Sequence, residues 1–291
     1  MTTTREAYLA ARDRLRAAGI DDANFEAELL LRHALGLSRA ALLTRLAEAH
    51  DVDDAGVAAF EALLTRRLSR EPSAYILGRR EFYHFDLEVT PAVLIPRPET
   101  ETVVEEAIRM ARRLRADATR ASDEGLVIAD IGTGSGAIAL TLARALPHAT
   151  VFATDVSTEA LDVAQRNAKR HALERIVFLH GDLLAPLSER IDVLVANLPY
   201  VTTSDLAAAQ PEVRDYEPPQ ALHGGEDGLD LIRRLLAEAH ANLRQGGVLV
   251  LEIGAGQAEA ASAAAQAAFP GAQVSLVEDL AGWPRVLIVQ T

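Results

Sequence analysis

The chain has 291 residues, 49% of them apolar, which suffices for one large domain or two with well-filled cores. Its 29 basic and 42 acidic residues leave a formal charge of −13, which argues against a broad phosphate-binding face built from clustered cations. Cysteine is absent, which excludes disulfides, thiolate metal sites and a cysteine nucleophile.

The first residues, MTTTREAYLAARDRLR, are charged and lack the apolar core of a signal peptide. No run approaches the roughly 18 apolar residues that a membrane span needs. A soluble, cytoplasmic protein is therefore expected. Residues 1–72 read as helices only. Tyr8, Ala11, Leu15 and Ala18 recur at helical spacing up to Gly19, and Phe25, Leu29 and Leu30 repeat the pattern up to Gly36. Ser38 suits the N-cap of a third helix, with Leu42, Leu43 and Leu46 inside. Asp53 to Arg70 make a fourth, with Val57, Phe60, Leu63, Leu64 and Leu68. Amphipathic helices separated by short breaks describe a small bundle. It holds no catalytic-looking cluster, so it either binds a partner or caps the rest of the chain.

From Pro72 to Pro98 the pattern changes. Phe82, Phe85, Leu87 and Val89 alternate with polar residues, which predicts a β-hairpin joining the bundle to the C-terminal part of the chain. Two prolines flank Arg97, and Glu99 and Glu101 suit the N-terminus of a helix over Val103–Leu114. Residues 116–125 read as a polar loop. From Leu126 strands and helices alternate: LVIADIG, GAIALTLARAL, TVFATD, STEALDVAQRNAKRHA, RIVFLHGD, IDVLVANLPY, DGLDLIRRLLAEAHANLR, GGVLVLEIG and AGQAEAASAAAQAAF. This order predicts a mainly parallel sheet with helices on both faces. Two closing strands, AQVSLVED and RVLIVQ, have no helix between them and should pair antiparallel.

Two joints carry chemistry. Asp130-Ile131-Gly132-Thr133-Gly134-Ser135-Gly136 links the first strand to its helix, and its free N–H groups are expected to face a ligand. Gly132, Gly134 and Ala137 also satisfy the dinucleotide spacing, with Asp155 placed to hold a ribose. Asp130, however, would repel a pyrophosphate and suit a ligand bearing an ammonium and a sulfonium, as S-adenosylmethionine does. Asp182 is positioned to accept from an adenine amino group, with Leu183 against the ring. The second joint is Asn197-Leu198-Pro199-Tyr200, which ends a buried strand where ligands bind in open α/β sheets. An Asn side-chain oxygen and a neighbouring backbone carbonyl can accept both N–H bonds of a planar amino or amide group, and a Tyr ring can lie on its flat face. A turn closed by proline is the simpler alternative. The eight His show no metal-binding spacing, and neither a GxSxG nor a P-loop motif occurs.

Together with GRREFYHF, IPRPETE, DIGTGSGAIAL, the EPPQALHGGEDGLDLIRRLL block at 217–236, LEIGAGQ and DLAGWPRVL, these residues resemble the glutamine methyltransferases of class-1 peptide chain release factors. The resemblance runs over almost the whole chain, and IPRPETE and the GGEDGL block are its more specific parts. It implies a class I, Rossmann-like α/β methyltransferase fold: a seven-stranded, mainly parallel sheet with an N-terminal helical bundle and a linking hairpin. The domains would be a substrate-recognition bundle over 1–72, a hairpin linker over 73–98 and a catalytic domain over 99–291. It implies S-adenosylmethionine as cofactor, held by Gly132, Thr133, Gly134, Ser135, Gly136, Asp155, Leu183 and Asn197, with Asp130 and Asp182 alongside. The substrate clamp would fall on Asn197, Leu198, Pro199 and Tyr200, with Arg97 and Glu99 nearby. The partner would be the release factor, met as a monomer, with no metal, membrane or direct nucleic-acid contact. Relatives usually carry Pro where this chain has Leu198 and often an aromatic residue at Leu183. Alternatives are a ribosomal-protein glutamine as substrate, an amino group of DNA or RNA, a dehydrogenase, or a scaffold that binds cofactor without turnover.

Overall fold

In the computed structural model of the chain, the described residues are 2–116 and 125–291. The polar loop expected at 116–125 lies, but for its two end residues, outside them. The chain divides into two compact units, Met1–Gly78 with Gln210–Tyr216, and Arg79–Ala209 with Glu217–Thr291.

The first unit runs β1 (Thr2–Thr3), α1 (Thr4–Ala17), α2 (Ala23–Ala34), α3 (Arg39–Glu48), β2 (Asp51–Val52), α4 (Asp54–Leu68) and α5 (Ser73–Leu77). Its helix starts are written locally. Thr3 and Glu6 form a reciprocal capping box, and Ser38 and Asp53 accept the N–H groups of Ala41 and Gly56. Leu15, Leu30, Leu31, Leu42, Phe60 and Leu64 fill the core. Two large side chains read as core from periodicity are more exposed than buried: Phe25 is 56% and Leu43 is 53% exposed. The buried stripe of α2 is Ala23, Ala27, Leu30 and Leu31, spaced i, i+4, i+7 and i+8. Phe25 falls on the opposite side of that stripe, and Leu43 sits one residue round from the buried Leu42.

The returning segment Gln210–Tyr216 is knit into this bundle by charge. Glu212 accepts from Arg67 at 2.9 Å and Arg70 at 2.7 Å, while buried Arg67 also meets Glu26 at 3.3 Å. The Tyr216 hydroxyl donates to the Ser69 carbonyl at 2.6 Å.

The second unit opens with β3 (Arg79–Phe82) and β4 (Phe85–Glu88), an antiparallel hairpin. Phe82, Phe85 and Leu87 are buried. The hairpin is shorter than the alternation over 73–98 suggests. Ser73–Leu77 is helical, and no strand comes between Glu88 and α6 (Thr100–Ala116). Pro91, Pro96 and Pro98 withhold the N–H groups a longer ladder needs.

Strands and helices then alternate as β5 (Val127–Ile131), α7 (Ala137–Ala145), β6 (Thr150–Asp155), α8 (Thr158–Arg170), β7 (Val177–His180) and β8 (Ile191–Ala196). After the short helices α9 (Thr203–Ala208) and, in the returning segment, α10 (Pro211–Arg214) come α11 (Asp230–Asn242), β9 (Leu243–Glu252), α12 (Ala258–Ala268), β10 (Gln273–Glu278) and β11 (Pro284–Gln290). The seven strands lie in the order β10-β11-β9-β8-β5-β6-β7. Pairing is parallel from β9 to β7, while β11 is antiparallel to both neighbours, as the missing crossover requires.

Alternate side chains feed two cores. Ile128, Val151, Val193 and Val250 join α6, α7 and the hairpin, while Ala129, Phe152, Leu194 and Leu249 join α11 and α12. Burial of both faces explains why these strands read as unbroken apolar runs. Register then brings the strand ends level. Ile131 lies opposite both Thr154 and Ala196, and Ala196 lies opposite Leu251. Gly132, Asn197 and Glu252 therefore leave the sheet at one height, at the point where strand order reverses. No helix among the described residues is long and apolar enough to cross a membrane.

Removing the Glu212 carboxylate leaves buried Arg67 with the Glu26 carboxylate and the Glu71 carbonyl. Glu212→Ala should cost about 2 kcal/mol, below the range for a fully orphaned buried charge. Urea unfolding followed by circular dichroism measures it, and an unchanged midpoint would show that these ion pairs do not hold the segment.

Candidate active site

A cavity opens at the carboxyl edge of the parallel strands. Of the residues expected to bind ligands, Gly132, Thr133, Gly134, Ser135, Asp155, Asp182, Leu183, Asn197, Leu198, Pro199 and Arg97 line it. Asp130, Gly136, Glu99 and Tyr200 do not.

The glycine loop differs from expectation in how it uses its amides. Gly132 and Thr133 donate to the Thr154 carbonyl, both at 2.9 Å, Gly136 donates to the Thr133 carbonyl at 2.8 Å, and Gly134 donates to Asp155 at 2.9 Å. These four amides are committed within the protein and are not free to cradle a pyrophosphate, which weakens the dinucleotide alternative. Asp130 sits beneath the loop. Its Oδ2 accepts from the Thr133 hydroxyl at 2.7 Å and the Ala139 N–H at 3.1 Å. Complete burial pushes its carboxyl up to about 7, partly offset by those two bonds. Asp130 thus shapes the loop from below and presents no carboxylate to the cavity.

Asp155 ends β6 and does face the cavity. Its two oxygens accept from Gly134 and Ser157, each at 2.9 Å. Burial raises its pKa against those backbone bonds. The carboxylate retains acceptor capacity for a ligand hydroxyl. Asp182 is exposed and paired with Arg234 at 2.5 Å. Leu183 is buried in a left-handed conformation, φ 46°, with its carbonyl accepting from the Thr154 hydroxyl at 3.1 Å. Arg97 pairs with buried Glu217, which also accepts the Ile95 N–H at 3.1 Å.

The Asn197 motif is organised by residues that the sequence contained but did not single out. Glu252 is 1% exposed and receives the Thr100 hydroxyl at 2.7 Å and the Tyr200 hydroxyl at 3.0 Å. Both hydroxyls donate to its carboxyl oxygens. The Thr100 oxygen then serves as acceptor for Asn197 Nδ2 at 3.1 Å. This order of donors fixes the Asn197 amide orientation and leaves Oδ1 without a donor among the described residues. The adjacent Leu198 carbonyl likewise has none. Burial raises the Glu252 pKa, while the Thr100 and Tyr200 bonds oppose that shift. Burial and the neighbouring carboxylate hold the Tyr200 phenol well above its ordinary value, so it stays a donor. The Tyr200 hydroxyl is tied to Glu252, and Tyr200 itself is not among the residues lining the cavity.

The backbone of the motif is clamped as well. Gln257 donates to the Tyr200 carbonyl at 2.9 Å and accepts the Gly254 N–H at 2.7 Å. A Cβ at Gly224 would lie 2.5 Å from the Pro199 carbonyl oxygen, and one at Gly228 would collide with the Tyr200 carbonyl. The GGEDGL block thus carries glycine where it presses against the motif's backbone.

Thr100→Val removes the acceptor that orients Asn197. It should lower turnover about a hundredfold, the scale of a small misplacement of a reacting group, with cofactor affinity unchanged. Steady-state kinetics beside equilibrium cofactor binding separates the two effects, and equal loss of both would refute a purely orienting role. A second prediction concerns pH. Asp130 is protonated more readily folded than unfolded, so its contribution to stability is full below about pH 4 and is lost as pH rises to about 7. Asp130→Asn should flatten the stability profile over that window by about 4 kcal/mol. Parallel profiles for the two proteins would contradict the raised pKa.

Comparison with known proteins agrees with this architecture. Residues 6–78 match the PrmC N-terminal domain and residues 110–213 the methyltransferase small domain. The chain is 45% identical over 258 residues to the release factor glutamine methyltransferase of Geobacter sulfurreducens, covering 88% of this chain and 86% of that one. It is 44% identical over 288 residues to the enzyme of the same name from Moorella thermoacetica, covering 98% of each. A methyltransferase from Pyrococcus furiosus shares the fold at 19% identity, with a TM-score of 0.52 over 78% of this chain and 96% of that one. With a parallel α/β sheet carrying this motif at its carboxyl edge, a matching N-terminal helical domain and relatives alike over most of their length, the chain belongs to the release factor glutamine methyltransferase family.

Proposed function

We propose that the enzyme transfers a methyl group from S-adenosylmethionine to the side-chain amide nitrogen of the glutamine in the Gly-Gly-Gln motif of class-1 release factors. One observation carries the chemistry. Asn197 Oδ1 and the Leu198 carbonyl are adjacent acceptors on the cavity side, and neither has a donor among the described residues. A primary amide brings two N–H bonds, one for each.

The cavity suits the cofactor. Asp155 faces the cavity as an acceptor for ribose hydroxyls, buried Leu183 offers an apolar face for a base, and four of the loop's amides are already committed within the protein. Bound there, S-adenosylmethionine supplies a methyl group already activated on a sulfonium. A glutamine amide nitrogen is a weak nucleophile because its lone pair is delocalised. Asn197 and the Leu198 carbonyl hold that nitrogen in line and stabilise the positive charge that grows on it. As the new C–N bond formed at this fixed position, the sulfonium S–CH3 bond would break with its electron pair left on the sulfur of a neutral thioether, and the surplus proton would pass from the nitrogen to water. Thr100 and Glu252 act through Asn197, and Glu252 also anchors Tyr200 beside it. Leu198 contributes only its backbone to the clamp, so the proline usual in relatives is dispensable for the chemistry. The helical unit, which matches the PrmC N-terminal domain, receives part of the protein substrate.

The test is methyl transfer from labelled S-adenosylmethionine to purified release factor, beside a copy with the Gly-Gly-Gln glutamine changed to alanine. Label is expected in the first alone. Asn197→Ala should lower turnover by about two to three orders of magnitude, as loss of one preorganised group aimed at developing charge does, with a smaller effect on cofactor binding. Label in both proteins, or full turnover by the variant, would overturn the assignment.

A further inference from the structure

The turn between β10 and β11, Asp279 to Trp283, carries two large apolar side chains in solvent. Leu280 is fully exposed and Trp283 is 58% exposed. The turn itself is tightly built. The Asp279 carboxylate accepts the N–H groups of Ala281 at 3.0 Å and Trp283 at 3.1 Å and pairs with Arg285 at 3.2 Å. The Asp279 N–H donates to the Trp283 carbonyl at 2.8 Å, and the Gly282 N–H donates to the Asp279 carbonyl at 2.9 Å. Arg285 in turn donates to the Ile253 carbonyl at 3.2 Å. Holding a tip in one shape while leaving Leu and Trp outside gives the molecule nothing in its own core.

The position of the tip is set by register. Val286 lies opposite Glu252, the residue that anchors Tyr200 and, through Thr100, Asn197. Trp283 is three residues further along, so it stands roughly 10 Å beyond the Glu252 level at about 3.3 Å per residue. β11 is two strands from β8, roughly another 10 Å across the sheet. The tip therefore stands on the same carboxyl edge as Asn197, roughly 14 Å from it on this spacing. A specific protein interface covers about 800 Å² per partner, a patch wide enough to take in both cavity mouth and tip. A free amino acid or short segment seated on Asn197 alone would not reach it.

Resting on the function proposed above, we infer that Leu280 and Trp283 form a docking anchor for the folded protein substrate, beside the site that takes its glutamine. The partner's complementary surface is apolar, next to the loop that bears the glutamine. Trp is enriched among residues that dominate binding, especially when its surroundings are already rigid. The anchor acts on encounter and residence of the protein substrate. It does not touch the cofactor or the reacting nitrogen.

The experiment compares wild type with Leu280→Ser/Trp283→Ser and with Trp283→Ala, using intact release factor as methyl acceptor. The expected result is a KM for release factor raised tenfold or more, with kcat at saturation and the Kd for S-adenosylmethionine unchanged. Unchanged KM in both variants overturns the anchor. An equal fall in kcat with unchanged KM also overturns it, because the tip would then be acting through Arg285 on the Glu252 network. Wild type that sediments as a dimer and variants that sediment as monomers assign the tip to a second copy of the chain and overturn the inference. Wild type that transfers no methyl to release factor fails the underlying function, and the anchor falls with it. Circular dichroism and unchanged cofactor affinity establish that the variants are folded.

Discussion

At Glu252 a buried carboxyl group accepts two hydrogen bonds, and their direction orders the site around it. Two hydroxyls, from Thr100 and Tyr200, donate to it, which fixes the polarity of each. Thr100 then has only its oxygen left for Asn197, so the amide of Asn197 presents Nδ2 to the protein and keeps Oδ1 unused. Glu252 thereby grips the motif at both ends, directly at Tyr200 and through Thr100 at Asn197. The cost of burying the charge appears as its raised pKa, and the two donors make that burial tolerable.

This network exists only because three separate segments meet. Asn197 ends β8, Glu252 ends β9, and Thr100 opens α6. Parallel pairing of β8 with β9 sets the first two level, and packing of α6 on the sheet brings the third. The same economy governs the other loops. Gln257 reaches back to the Tyr200 carbonyl, and glycines 224 and 228 press against the motif where no side chain fits. A short stretch whose chemistry rests on two bare acceptors is thus supported by much of one sheet edge.

Much of the fold was legible because its signals are local. Capping by Ser38, unbroken apolar strands, and the absence of a crossover before the last strand each depend on neighbours in the chain. Misreadings arose where a residue's partner lies far away. Phe25 and Leu43 share a helical period with core residues, yet the stripe facing the bundle passes beside them. The glycine loop suggested free amides, but the Thr154 carbonyl and Asp155, on the next strand, consume three of them. Asp130 looked like a cavity carboxylate and lies under the loop instead. The residues overlooked at the site, Thr100, Glu252 and Gln257, sat inside IPRPETE and LEIGAGQ, blocks visible as patterns without visible roles.

Sequence alone determined the alternation of strands and helices, the apolar faces, and the position of an Asn-x-Pro-Tyr stretch at a strand's end, because each depends on residues a few positions apart. Tertiary structure decided which oxygen of that stretch is left to accept and which amides are already committed. It also decided which exposed tip stands on the same carboxyl edge. Those properties belong to hydrogen bonds between segments up to 152 residues apart, such as Thr100 with Glu252, and a donor's partner has no signature in the chain until register and packing bring the two together.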